Sequence, residues 1–345
     1  MIDERLHHAA TVSLDAFHDV WPRFFPLDEL RELLGPCTDE LVREVLGRQV
    51  NAPVWTLVDR GGKRWRTTIG RLAYRVAGGA DPEPATVFEV PELLHNASLV
   101  VDDIEDAATE RRGGPPAHLS HGVPVALNAA NAAYFRALAV LRASLGDAAR
   151  LRALDMLSEE LFVAHLGQAL DLTLGAYLKL GVALRTTHYE ILARAKTGAL
   201  VRIAARLGAI AAGADDAIER ALATWAGELG VAYQIRDDIE DLAVGSTDLA
   251  RCRLTYPLLA LMEEEGSAAT AIVEHLVEQG DAIGEGESWL GDMLGRDSVL
   301  ERCRDAASAA ATRALAALAL LPEGAARDAL VLLTQHLAAG GTEEP

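Results

Sequence analysis

The pentapeptide Asp-Asp-Ile-Glu-Asp occurs twice in the chain, at residues 102 to 106 and again at 237 to 241. On a helix Asp102 and Asp106 lie one turn apart with Asp103 beside them, so three carboxylates are expected to converge, and Asp237, Asp238 and Asp241 repeat the pattern. Clustered carboxylates repel one another and are costly near an apolar interior unless hard cations neutralise them. Magnesium suits this task, because it takes oxygen ligands, keeps several waters, and usually binds through one or two carboxylates plus the phosphates of a substrate. A single acidic cluster at a helix end is as well explained by solvation or by the helix dipole. Here two identical copies each follow an apolar stretch, Ala97 to Val101 in one case and Val231, Ala232 and Ile235 in the other. That pattern puts the acids at the rim of an apolar cavity, where a metal-held diphosphate with a hydrocarbon tail would sit.

Two basic segments flank the first cluster. Gly61-Gly62-Lys63-Arg64-Trp65-Arg66 precedes it, and Glu110-Arg111-Arg112-Gly113-Gly114-Pro115-Pro116-Ala117-His118 follows it. Glycine lets backbone approach an anion closely, arginine offers a rigid fork of donors and lysine a point charge, so both segments suit phosphate. In isolation, Arg111 and Arg112 would be read as surface partners of nearby acids. The chain has only three lysines, Lys63, Lys179 and Lys196, and two of them fall in segments with other distinguishing features. His118 and His121 have helical spacing but lack a third zinc-type ligand, and His118 is better read as part of the basic segment.

The elements that must carry these groups are helical. Apolar residues recur at three- and four-residue spacing through Leu27 to Leu46, Trp65 to Val76, Val90 to Val101, Val123 to Leu145, Leu151 to Leu180, Tyr189 to Ala212, Ala217 to Leu242 and Leu254 to Met262. Strand alternation, a dinucleotide fingerprint and a Walker loop are lacking. Trp21, Phe24 and Phe25 are expected to pack an opening helix on the bundle or on a partner subunit. No long hydrophilic linker divides the chain, so residues 1–345 are expected to form one all-α domain, with a frayed tail over 340–345. A formal net charge of −19 argues against nucleic-acid binding. Three dispersed cysteines, no basic-then-apolar leader and no apolar run of spanning length predict a soluble, cytoplasmic protein without disulfides or a membrane span.

The ordered series GGKRWR, HNASLVVDDIED, RRGGPPAH, GQALDL, AKTGAL, YQIRDDIEDL and RCRLTYPLL spans about Val58 to Leu259 and resembles the trans-polyprenyl diphosphate synthases. The resemblance implies an isoprenoid-synthase bundle around a central apolar cavity, and transfer of an allylic prenyl group head to tail onto isopentenyl diphosphate. It further implies that Asp102, Asp103, Asp106, Asp237, Asp238 and Asp241 hold magnesium, three ions per active site. Arg111 is then expected to contact the allylic diphosphate, while Lys63, Arg66, His95 and Arg112 bind isopentenyl diphosphate. Lys196, Thr197 and Gln234 match positions around the leaving group and the developing cation, and Arg253 stands at a usual lysine position. A homodimer follows from the resemblance alone.

Departures from the family pattern are local. The loop Leu242 to Arg251 is short and lacks the usual Gly-Lys, Cys252 replaces a glycine, and Asn131 stands where Asp is common. Product length in this family is limited by bulk just before the first acidic motif, and here Ala97 and Ser98 are small, which favours C20 or longer products. Leu93, Leu94 and facing residues around Phe162 to Leu170 could set a deeper stop. Two other readings compete: a terpene cyclase on the same fold, which needs no isopentenyl site, and a non-catalytic subunit of a heteromeric synthase. On the leading reading, Asp103→Ala or Asp238→Ala reduces turnover by orders of magnitude and leaves the fold intact.

Overall fold

A computed structural model of the chain describes residues 14–178, 180–244, 254–266 and 292–339. In chain order its helices are α1 (Asp15–Val20), α2 (Leu27–Leu34), α3 (Glu40–Leu46), α4 (Ala52–Val58), α5 (Trp65–Val76), α6 (Ala85–Glu105), α7 (Ala117–His121), α8 (Val123–Ser144), α9 (Asp147–Leu178), α10 (Thr186–Ala211), α11 (Asp216–Val244), α12 (Tyr256–Glu265), α13 (Asp297–Leu318) and α14 (Ala325–Ala339). A π-helical turn, Gly47–Asn51, joins α3 to α4, and the described residues contain no strand beyond an isolated bridge between Arg111 and Gly114. The all-α expectation is met. The run expected from Leu27 to Leu46 is two helices, because Gly35 takes φ 107° and Pro36 follows it. The helix expected over 90–101 begins earlier, at Ala85, and runs through Pro91.

Two compact units can be delineated. The first contains the described residues up to Asp155 together with Arg206–Ala214. Its core is aromatic and aliphatic: Phe17 meets Trp55 edge to face with ring centroids 5.4 Å apart, and Phe88, Leu93 and Leu94 of α6 are fully buried. Trp21 donates its indole N–H to the Asn51 carbonyl, while the Asn51 amide donates to the Pro22 carbonyl, so the opening helix is tied to the π-helical turn. Where α5 meets α6, two buried acids manage the polar ends of the chain. Glu92 accepts the backbone N–H of Arg66, in the first turn of α5, at 3.1 Å. Glu89 pairs with Arg64 at 2.5 Å and accepts the Thr67 hydroxyl at 3.3 Å. Arg64 itself is in the left-handed region, at φ 44°, which turns the chain from the Gly61-Gly62-Lys63 segment into the helix.

The second unit contains Met156–Ala205 and the described residues from Asp215 onward. Its helices approach closely where side chains are missing. An ideal Cβ on Gly167 of α9 would lie 2.3 Å from the Lys196 backbone nitrogen, and one on Gly230 of α11 would lie 2.5 Å from the Cα of Gly198 on α10. The glycines of GQALDL and AKTGAL therefore set how near Lys196 and Thr197 come to their neighbours. Arg202 of α10 forks onto the buried Glu160 of α9 with Nε contacts of 3.1 and 2.8 Å. The helices α13 and α14, not anticipated from periodicity, pack on α11, and Trp225 donates to the Thr334 hydroxyl at 2.8 Å.

Burial pushes the Glu89 carboxyl up to about 7, outweighing the opposite pull of Arg64. Folded protein therefore carries a proton that the unfolded chain has lost, between an ordinary value near 4.5 and about 7. The resulting stabilisation is present below that window and disappears as the pH rises through it. Glu89→Gln, whose amide does not titrate, should gain stability relative to wild type as the pH goes from 5 to 8, by up to about 3 kcal/mol. Urea unfolding of both proteins at several pH values checks this, and a pH-independent difference would refute it.

Candidate active site

In the first unit, α6 ends on the first acidic cluster. Asp102 and Asp103 lie in the last turn of α6, and Asp106 is its C-cap. Asp103 is fully buried and accepts Arg111 Nε at 2.7 Å, and Arg111 Nη2 reaches Asp102 at 3.4 Å. Burial raises the Asp103 carboxyl despite Arg111, and its Oδ2 has no hydrogen-bond partner among the described residues. The convergence of three carboxylates expected from helical spacing is not found. Among the described residues no group of three His, Cys, Asp or Glu side chains is gathered closely enough to hold a metal by itself. Arg111 draws Asp102 and Asp103 to its guanidinium, and Asp106 falls where the helix ends. The donor set is still all oxygen, with one buried oxygen unanswered, and fits a hard cation that takes one or two carboxylates and completes its shell with phosphate and water. A closed zinc-type site does not fit it.

The basic residues of this unit meet. Arg112, at φ 52°, donates Nη1 to the Leu57 carbonyl at 2.9 Å and to Asn96 Oδ1 at 3.2 Å. Its guanidinium packs on Gly62, where an added Cβ would lie 3.0 Å from Nη2. Arg66 stacks over Trp65, its Cζ 4.8 Å from the ring centroid. His95, within reach of the Arg66, Arg112 and Arg111 charges, is held well below its usual value, first by burial and then by those cations. It is therefore a neutral imidazole beside three guanidinium groups. Lys63 is exposed at the mouth of the same segment. The sequence missed Glu92 and Asn96, which fix the Arg66 backbone and the Arg112 side chain; Glu92 sits three residues before His95 on α6.

In the second unit, Asp238 is the best-held group. Its Oδ2 accepts the backbone N–H of Tyr256 at 2.7 Å, and Gln234 Nε2 approaches Oδ1 at 3.4 Å, with the buried Tyr189 phenol close by. Thr197 donates to Gln234 Oε1 at 2.5 Å, and Lys196 pairs with Asp171 at 2.5 Å. Lys196, Thr197, Gln234 and Asp238 are thus brought together, with Asp171 and Tyr189 as unforeseen members. Asp171 was legible in principle, one turn after Gly167 in GQALDL. Asp237 is partly exposed and Asp241 exposed. Burial pushes Asp238 up to about 8 in spite of its donors. Ala97 is fully buried, and the Ser98 hydroxyl donates to the His95 carbonyl at 2.8 Å. Arg253, Cys252 and most of the short loop lie outside the described residues.

The aspartates therefore differ in what they support. Removal of Asp238 would leave the first N–H of α12 without its partner, so the fold is not indifferent to Asp238→Ala, contrary to the expectation from sequence. Asp238→Ala should destabilise the metal-free protein by about 2–4 kcal/mol, whereas Asp237→Ala should change it by less than about 0.5 kcal/mol. Denaturant unfolding in the presence of a chelator measures both, and equal stability of the two variants would contradict the assignment.

Residues 48–288 match the family model of the polyprenyl synthetases. The geranylgeranyl diphosphate synthase of Mycobacterium tuberculosis is 30% identical over 297 residues, covering 83% of this chain and 82% of the relative. The octaprenyl diphosphate synthase of Escherichia coli is 30% identical over 300 residues, covering 84% and 89%. Among solved structures, the polyprenyl synthase of Caulobacter crescentus, complexed with calcium and isoprenyl diphosphate, is similar with a TM-score of 0.75 and 26% identity over 91% of this chain and 98% of that one. On the family match and the relatives' coverage together, the chain belongs to the polyprenyl synthetase family.

Proposed function

We propose that the protein transfers an allylic prenyl group head to tail onto isopentenyl diphosphate, releasing diphosphate and building products of C20 or longer. The observation that carries this reading is the basic cradle of the first unit: Arg112 seated on Gly62, with neutral His95 among Arg66, Arg111 and Arg112. A cyclase that ionises a finished prenyl diphosphate has no use for a second diphosphate site. Relatives named as geranylgeranyl and octaprenyl diphosphate synthases support elongation and the longer products.

Members of the family need a divalent metal, and magnesium is our choice here, three ions per site. When bound, it neutralises the charge of the allylic diphosphate as that group leaves. Asp102, Asp103, Asp106, Asp237, Asp238 and Asp241 are the carboxylates that would hold it, and the unanswered Oδ2 of the buried Asp103 supports that role. Arg111 and Lys196 bind the departing diphosphate. Thr197 and Gln234 orient around the developing allylic cation, while Lys63, Arg66, His95 and Arg112 fix isopentenyl diphosphate. Apolar walls exclude water, which would otherwise quench the cation to an alcohol. The small Ala97 and Ser98 leave room for a growing tail. Val123, Leu127 and Phe135 are exposed at four- and eight-residue steps along one face of α8, in keeping with a homodimer. No helix among the described residues is long and apolar enough to cross a membrane, in keeping with a cytoplasmic enzyme.

Purified protein incubated with magnesium, labelled isopentenyl diphosphate and C5 to C20 allylic diphosphates should yield linear alcohols of C20 or more after dephosphorylation. Cyclic hydrocarbons formed without isopentenyl diphosphate would favour the cyclase, and no turnover the partner-subunit reading. Lys63 is exposed, so Lys63→Ala should fold normally while raising KM for isopentenyl diphosphate by about tenfold or more, with KM for the allylic substrate unchanged. Steady-state kinetics with each substrate varied in turn checks the split, and an unchanged KM for isopentenyl diphosphate would remove Lys63 from the site.

A further inference from the structure

Arg60 belongs to none of the motifs read from the sequence, although it directly precedes Gly61-Gly62-Lys63. Its side chain crosses to the turn that follows the first acidic cluster, where Nη1 donates to the Arg111 carbonyl at 3.0 Å. There its guanidinium lies over Gly114, on which an added Cβ would fall 2.8 Å from Cζ. Arg112 makes the opposite crossing: its Nη1 donates to the Leu57 carbonyl at 2.9 Å, and its guanidinium lies over Gly62. The two segments thus exchange arginines, each seated on the other's glycine and bonded to the other's backbone. The accepting carbonyls are matched too. Leu57 also accepts the Arg60 N–H at 3.3 Å, and Arg111 also accepts the Gly114 N–H at 3.3 Å, so each oxygen closes its own turn while holding the other segment's arginine.

An arginine that served only as surface packing would find a carboxylate easily in a chain with 51 acids against 32 lysines and arginines. The neighbouring Asp59 is instead engaged by Arg23, and Arg60, half-buried, makes no ion pair among the described residues. Both segments also hold backbone that does not settle by itself. Arg64 and Arg112 are at φ 44° and 52°, and side chains other than glycine persist in that region only where surrounding contacts fix them. Arg111 has an anchor of its own in Asp103. Arg112 has Asn96 and the very segment that Arg60 ties down.

We propose that Arg60 is a positioning residue for isopentenyl diphosphate: seated on Gly114 and bonded to the Arg111 carbonyl, it locks the segments of Lys63 and Arg112 into one cradle. The inference rests on the reading of that cradle as the isopentenyl diphosphate site. The allylic side is spared, because Arg111 keeps its hold on Asp103 without Arg60.

Gly114→Ala tests this without removing a charge. Gly114 is outside the left-handed region, so its backbone accepts alanine, and the new methyl displaces the flexible end of Arg60 from its seat. Calorimetric titration of isopentenyl diphosphate should show about tenfold weaker binding in Arg60→Ala and in Gly114→Ala alike. In steady-state kinetics KM for isopentenyl diphosphate should rise in proportion, with KM for the allylic substrate and the unfolding midpoint near wild type. The double variant should bind no more weakly than Arg60→Ala alone, because a truncated Arg60 leaves the methyl nothing to displace. Wild-type affinity in Arg60→Ala overturns the proposal, as does wild-type affinity in Gly114→Ala, which would show that only the charge of Arg60 matters. Additive losses in the double variant overturn it too, and so does an equal loss for both substrates with a lowered midpoint, which marks a structural role. Lys63→Ala serves as the reference: if it binds isopentenyl diphosphate like wild type, the reading of the cradle itself fails, a result separable from the behaviour of Arg60.

Discussion

A carboxylate buried in an apolar bundle is expensive, and this protein answers several of its buried acids with the N-terminus of a helix. Glu92 takes an N–H in the first turn of α5, and Asp238 takes the first N–H of α12. In both cases the acid comes from a different helix, so satisfying one orphan donor and one buried anion also ties two elements together. The helices that are tied are the ones that carry candidate chemistry. The start of α5 follows Lys63 and bears Arg66, and the end of α11 bears Asp237 and Asp241. Neither segment could drift without exposing an unpaired charge or an unpaired N–H to the core, a cost of about 1–3 kcal/mol for each group left unmade.

The same constraint divides the labour within each Asp-Asp-Ile-Glu-Asp copy. Neighbouring residues on a helix point about 100° apart, so two adjacent aspartates cannot share a direction. Asp103 and Asp238, the second of each pair, are the buried ones, while Asp102 and Asp237 stay partly exposed. The first cluster is balanced by an arginine from the chain that follows, Arg111, and the second by neutral donors, Gln234 and a peptide N–H. Identical pentapeptides thus rest on unlike supports, and the two are not interchangeable in their tolerance of substitution.

Much of this was legible in the sequence, and the parts that were not share a cause. Apolar periodicity gave the long helices, because a helix that buries one face must repeat at three and four residues whatever it packs against. It missed α13 and α14, and it fused α2 with α3 across Gly35 and Pro36. The aspartates, arginines and lysines of the candidate site stood out because clustered charge has no cheap structural explanation. Glu92, Asn96 and Tyr189 did not stand out. Each looks ordinary beside its chain neighbours, and its role comes from a partner distant in sequence, as Asn96 to Arg112 and Glu92 to Arg66 illustrate. The expectation that carboxylates four apart would gather failed for a related reason. Spacing fixes the face of a helix, but the side chains go where the strongest local partner is, and for Asp102 and Asp103 that partner is Arg111.

An acidic chain with a formal net charge of −19 must bind multiply anionic diphosphate esters against its own field. The arrangement in the first unit resolves that conflict locally. Arg111 is held by an inward-turned acid, Arg112 by a backbone carbonyl and an amide, and Arg66 is stacked over Trp65, all fixed in place before any ligand arrives. Pre-paid positioning of this kind matters more than cation number, because a guanidinium already fixed and partly stripped of water offers its donors without a further loss of rotamer freedom. His95 completes the logic from the other side. A fourth charge among three guanidiniums would be repelled, so the imidazole stays neutral and can accept as well as donate. The site thereby gains a polar group without adding to the self-repulsion that the buried acids are there to offset.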